Sequence, residues 1–149
     1  MGAVKTEIEQ AITTLNLTPT EIRLVADVET LYLDLLKHFV KSGDRKWWWE
    51  DFKQESFYFK TYQFPFKELI HIIPKEADTA WLMIEDDQED YYPIYNCKSS
   101  IIGELIAECS AFEYYVIDKN KQWLLCENHS DQLIGVGEQL RIINKDKLR

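Results

Sequence analysis

Apolar residues recur at Val4, Ile8, Ala11, Ile12 and Leu15, a spacing that lines one face of a helix, and the stripe ends near Asn16. Thr18, Pro19, Thr20 and Glu21 then form a capping box. The Thr18 side chain is placed to accept from the Glu21 N–H, Glu21 to reach back to the Thr18 N–H, and Pro19 suits a first helical position. A second helix is expected to start there. Its apolar positions Ile22, Val25, Ala26, Leu33, Leu36, Phe39 and Val40 keep helical spacing until Ser42, Gly43 and Asp44 stop it, which makes it the longest element.

From Arg45 the pattern changes. Ten of the 20 aromatic residues fall between Trp47 and Phe66, and Phe57 and Phe59 alternate with Tyr58 and Lys60, the period of a half-buried strand with its Phe side inward. Trp47, Trp48 and Trp49 read as strand as well. Trp47 and Trp49 would then share one face and Trp48 the other, so either both faces are covered or an exposed indole marks a contact. Residues 69–73 and 80–84 continue as short strands, with His71 semi-buried between Leu69 and Ile73. Residues 85–90 form a polar hairpin connection, and 91–96 a return strand that Pro93 places at an edge or a bulge. Ile101, Ile102, Leu105, Ile106 and Cys109 restore helical spacing. Residues 112–117 and 122–126 flank a turn-forming run as a second hairpin. The tail reads either as a strand over 133–136, punctuated by Gly135 and Gly137 and followed by a helical turn, or as one poor helix. The sum is an α+β fold: an antiparallel sheet of about five to seven strands covered on one side by two N-terminal helices and a later short helix.

With 149 residues and 46% hydrophobic content, the chain can close one globular domain around a core without metal or disulfide staples. No apolar run reaches membrane length and no basic stretch leads an apolar one at the start, so a soluble, cytoplasmic protein with no membrane partner is expected. Cys97, Cys109 and Cys126 are odd in number and widely spaced, which fits reduced structural thiols.

Charge is unevenly placed. The net charge is −9, and residues 76–96 hold seven acids and no base, whereas 45–75 hold four acids and six bases. That marginal excess is too small to neutralise phosphates, so nucleic acid is not an expected partner. Glu85, Asp86, Asp87, Glu89 and Asp90 put five carboxylates in six positions. They read as a solvated loop, or as a docking surface for a basic protein with Tyr91 and Tyr92 as contact anchors. A calcium loop would need a glycine and a terminal glutamate that the run lacks.

Glu127, Asn128 and His129, followed by Ser130 and Asp131, gather polar groups directly after a strand. They read as a turn, or as the pocket of an enzyme or small-molecule binder with Glu127 or His129 as base and Asn128 as an orienting amide. The second reading requires His129 and a distant polar residue, His71 or Tyr115, in one cavity. Metalloprotease, EF-hand, P-loop, nucleophile-elbow and dinucleotide motifs are all missing, so neither cofactor nor metal is expected.

The blocks WWWEDF and FEYYVIDKNKQWLLCENHSDQLIGVG are similar to a small bacterial family of uncharacterised proteins of about this length. The plan of N-terminal helices, aromatic central strands and acidic balance resembles the SMI1/KNR4-like superfamily, many of whose bacterial members are immunity proteins that neutralise secreted toxins. That resemblance implies an immunity-type protein, and the missing catalytic motifs and the carboxylates clustered beside tyrosines add the expectation of a non-catalytic protein-binding module that occludes a basic partner such as a nuclease. It carries over no site residue.

Overall fold

A single antiparallel sheet organises the chain. The computed structural model describes residues 1–42 and 47–147. Its strands are β1 (Ile22–Leu24), β2 (Ser56–Phe59), β3 (Thr79–Ile84), β4 (Ile94–Lys98), β5 (Tyr114–Ile117), β6 (Leu124–Glu127) and β7 (Leu133–Val136). They lie in the order β1-β4-β3-β5-β6-β7-β2, every neighbouring pair antiparallel. With helices α1 (Ala3–Thr14), α2 (Val28–Phe39), α3 (Pro65–Ile72), α4 (Ile102–Ala107) and α5 (Glu138–Lys147), the fold is α+β. Short polar connections make β3–β4, β5–β6 and β6–β7 neighbours. The pairings β3–β5, β1–β4 and β2–β7 join segments distant in sequence.

Helices cover both faces of the sheet rather than one. On the first face, Ile8 and Ala11 of α1, Leu69 and Ile72 of α3, Leu105 and Ile106 of α4 and Leu140 of α5 pack with Leu82, Tyr95, Val116 and Leu125. On the second, Tyr32, Leu35, Leu36 and Phe39 of α2 cover Met83, Ile94, Tyr115, Ile117, Leu124 and Cys126. The two N-terminal helices thus lie on opposite sides. The reason is written in β5 and β7, Tyr-Tyr-Val-Ile and Leu-Ile-Gly-Val, in which every residue is buried. A continuous apolar run needs cover above and below.

The second helix is also shorter than its apolar spacing predicts. Glu21 Oε1 does accept the Thr18 N–H at 3.0 Å, but the Glu21 N–H donates to the Thr18 carbonyl, not to its hydroxyl. The half-formed box closes a turn that feeds β1, where Ile22, Arg23 and Leu24 pair with Cys97, Asn96 and Tyr95. Asp27 is the residue that caps α2, its Oδ1 accepting the Thr30 N–H at 3.3 Å. Leu33, expected in the core, is 45% exposed. The helix ends at Phe39, and Gly43 and Asp44 of the expected stop lie outside the described residues.

Residues 69–72 are helical, not a strand, and Ile73 is the extended residue that ends the helix. Pro65 occupies the first turn of α3, and Pro65, Glu68, Leu69 and Ile72 face inward at helical spacing, leaving His71 exposed. A five-residue apolar run carries no period that separates the two states. The tryptophans form a 3-10 turn over Trp48–Glu50, entered by Trp47 in the left-handed region at φ 53°. Trp48 is fully buried, its ring centroid 5.5 Å from those of Tyr32 and Tyr115, while Trp47 is exposed. The return strand starts after Pro93 and lies inside the sheet. Pro93 sits just outside the ladder, its carbonyl accepting the Ile84 N–H at 3.1 Å.

The tail follows the strand-then-helix reading. Gly135 stands opposite Phe57, and a Cβ there would come within 2.7 Å of the Phe59 ring and 2.8 Å of the Phe57 ring. All three cysteines are free, and burial pushes the Cys97 thiol up to about 12. Among the described residues, no helix is long and apolar enough to cross a membrane.

Candidate functional site

The first N–H groups of a helix lack intrahelical acceptors, and Gly2, which caps α1, has no side chain to supply one. The acidic loop between β3 and β4 supplies them instead. Glu89 Oε2 accepts the Gly2 N–H at 2.5 Å, Gln88 Oε1 the Ala3 N–H at 2.7 Å and Asp86 Oδ2 the Lys5 N–H at 2.9 Å. Asp86 Oδ1 accepts the loop's own Gln88 N–H at 3.0 Å, and Lys5 Nζ lies 3.6 Å from Glu89. Carboxylates at this end also meet the positive pole of the helix dipole. The loop and the helix start are locked together so closely that a Cβ on Gly2 would overlap the Asp86 carboxylate.

The predicted docking residues therefore divide. Asp86 is 3% exposed and Glu89 is turned toward α1. Tyr92 is 1% exposed, lies in the second core and donates to Asp87 Oδ1 at 3.3 Å, so it is not an anchor for a partner. Glu85 and Tyr91 are half-buried, and Asp87 and Asp90 are exposed. Tyr91 Oη donates to Glu29 Oε1 on the first turn of α2 at 2.9 Å.

Glu127, Asn128 and His129 are not brought to one point. Glu127 lies opposite Tyr114 on the first face and accepts its hydroxyl at 2.8 Å. Burial pushes the Glu127 carboxyl up, the Tyr114 bond pulls it partly back, and Asp131 adds repulsion. Burial and Glu127 likewise hold the Tyr114 phenol well above its ordinary range. Asn128 closes the β6–β7 turn, its Oδ1 accepting from the Ser130 and Gln132 N–H groups and its Nδ2 donating to Gln132 Oε1. Its amide is spent on the turn. His129 sits toward the second face, Nδ1 3.3 Å from Glu113 Oε2, with the Trp47 and Trp49 rings 6.4 and 5.7 Å away.

Glu113 is the residue the sequence reading missed. It is buried and also accepts the Tyr115 hydroxyl at 3.1 Å, so it links Tyr115 to His129, whereas His71 lies on α3. The available signal was its place two residues before Tyr115, on the same face of an extended segment. The contact with Glu113 orients the imidazole. The neighbouring Cys126 thiol is pushed well up, first by burial and then by Glu113.

Five surface cavities of about 220 to 520 Å³ lie along α3, α4, α5 and the β5–β6 turn. None of the five is lined by Glu127, Asn128 or His129. Among the described residues, no group of three or more His, Cys, Asp or Glu side chains is gathered to hold a metal ion. Residues 2–147 match the model of a family of unknown function, DUF6756, and the chain belongs to that family. No curated protein matches it.

Proposed function

We infer that this member of the family is a non-catalytic, cytoplasmic protein-binding module, an immunity-type protein that occludes a basic partner such as a nuclease. The observation that carries the reading is the Tyr91–Glu29 hydrogen bond. It joins the acidic loop, with Asp87 and Asp90 exposed, to the first turn of α2, where Asp27 and Glu29 are exposed, and so brings two acidic segments together. Leu33, one turn beyond Glu29 on the same side of α2, adds an exposed apolar contact. The inward bonds of Asp86 and Glu89 hold the loop rigid, so little entropy is lost when its outer carboxylates meet a partner. Clustered carboxylates steer association and fix its register. The resemblance of the sequence plan to that of SMI1/KNR4-like immunity proteins supports the same class.

The test is capture of partners from the native organism with the full chain, followed by Glu29→Lys and Asp87→Lys. A basic partner is expected whose affinity falls with both reversals and with added salt. A partner indifferent to salt and to both reversals would place the interface elsewhere.

A further inference from the structure

The corner of the second face beyond the reach of α2 carries an arrangement unrelated to the acidic segments. Arg23 on β1 and Trp81 on β3 both stand directly opposite Asn96 on the intervening β4. Their sequence neighbours Ile22, Ala80 and Cys97 belong to the first core, so Arg23, Asn96 and Trp81 form one row on the second face. One pleat further along, Met83 and Ile94 lie under α2, but Trp81 and Asn96 are half-exposed and Arg23 is exposed. Lys119, just past β5, folds back over this row. Its ammonium donates to Asn96 Oδ1 and lies 5.5 Å from the centroid of the Trp81 ring.

Two cations thus flank one neutral amide. Among the described residues, neither Arg23 nor Lys119 makes an ion pair, although the chain holds 26 carboxylates. Partial burial lowers the Lys119 pKa and the Arg23 guanidinium lowers it further, the direction expected of a cation held beside a like charge without a counter-ion. Because Asn96 Oδ1 is taken by Lys119, its Nδ2 is left as a donor. Arg23, the Lys119 ammonium and the Asn96 amide are thus brought onto one cross-strand row that includes the Trp81 indole.

We propose that Arg23, Asn96 and Lys119 form a binding site for an oxyanion, a phosphate or carboxylate borne by a small organic ligand whose apolar part rests on Trp81. The guanidinium matches two oxygens of such a group in one plane, and the ammonium and amide take the remaining lone pairs. The anion replaces the missing counter-ion. With the chain at −9, delocalised attraction cannot account for anion binding here, so the local donor geometry has to supply it.

The experiment titrates the folded full chain with inorganic phosphate, phenyl phosphate and benzoate, each against sodium chloride of equal ionic strength, and follows backbone and indole N–H resonances. Saturable shifts confined to Arg23, Trp81, Asn96 and Lys119 are expected. Arg23→Gln and Lys119→Gln should each weaken the response about ten-fold. Tighter binding of phenyl phosphate than of inorganic phosphate assigns the ligand as organic, and benzoate separates a carboxylate from a phosphate head group. Asn96→Asp gives an independent reading, because it places a carboxylate within reach of both cations. It should raise the melting temperature and abolish the phosphate response. Shifts no larger than those of chloride, a response unchanged in both glutamine variants, or a loss of stability in Asn96→Asp would each overturn the proposal.

Discussion

Two buried glutamates show how the same side chain titrates in opposite directions according to its partners. Glu127 is raised by burial, which the Tyr114 bond offsets only in part. In the window between the ordinary 4.5 and its raised folded value, the folded state binds more protons than the unfolded one, so stability falls as pH rises through that window. Glu127→Gln keeps an acceptor for Tyr114 and removes the charge. Denaturant melts between about pH 4 and pH 8 should therefore show a shallower decline in the variant than in the parent. Glu68 is the reverse. Burial pushes it up, but the Lys147 ammonium and the N–H groups of Tyr62 and Gln63 outweigh that and leave it lowered. Its contribution is present above 4.5 and is lost as pH falls through the lower folded value, so Glu68→Gln should reduce stability at neutral pH and lose that deficit in acid. Asn128 carries no charge to titrate, and its amide makes three hydrogen bonds within the turn, which is why a residue that looks available in the sequence is not.

At the level of helices and strands, the termini carry the sharpest tests. Thr18→Ala should change stability by less than about 0.5 kcal/mol, because the bond from the Thr18 N–H to Glu21 survives and the hydroxyl contacts to Thr20 Oγ1 and Glu21 Oε1 that it removes lie in solvent. Asp27→Ala removes the side-chain cap of α2 and should destabilise by about 1 kcal/mol. The start of α1 depends on a loop more than 80 residues away in sequence, so Asp86→Ala should also lose about 1 to 2 kcal/mol by orphaning the Lys5 N–H, and Gly2→Ala about 1 to 3 kcal/mol by forcing the Asp86 carboxylate aside. Urea melts of the four variants rank them. A loss for Thr18→Ala equal to that for Asp27→Ala would mean that α2 starts where the capping box suggested.

Across the whole molecule, the sheet divides the apolar residues into two cores that share no helix. Leu35→Ala on the second face and Leu69→Ala on the first should each cost about 2 to 5 kcal/mol, since both side chains are buried. Leu33→Ala should be close to neutral, because its side chain lies largely in solvent. The double variant of Leu35 and Leu69 should be additive within about 0.5 kcal/mol, as the two side chains lie on opposite sides of a layer and share no partner. Strong coupling in that cycle would mean that the sheet transmits repacking between its faces.

Apolar patterning identified α1 and the strands β2, β3, β5 and β6, and the short polar connections between strands, residues 85–90 among them, identified the antiparallel α+β class. Composition located the acidic loop and the polar group after β6, since it is a property of the chain and not of its folding. Direction was not legible. Whether Asp86 faces a partner or the first turn of α1, whether Glu127 and His129 share a face, and which side of the sheet receives α2 all depend on contacts between segments far apart in sequence. A side chain's period tells which neighbours it stands with, but its partner across the fold is chosen by the pairing of β1 with β4 and β2 with β7, and by the need of β5 and β7 for cover on both faces.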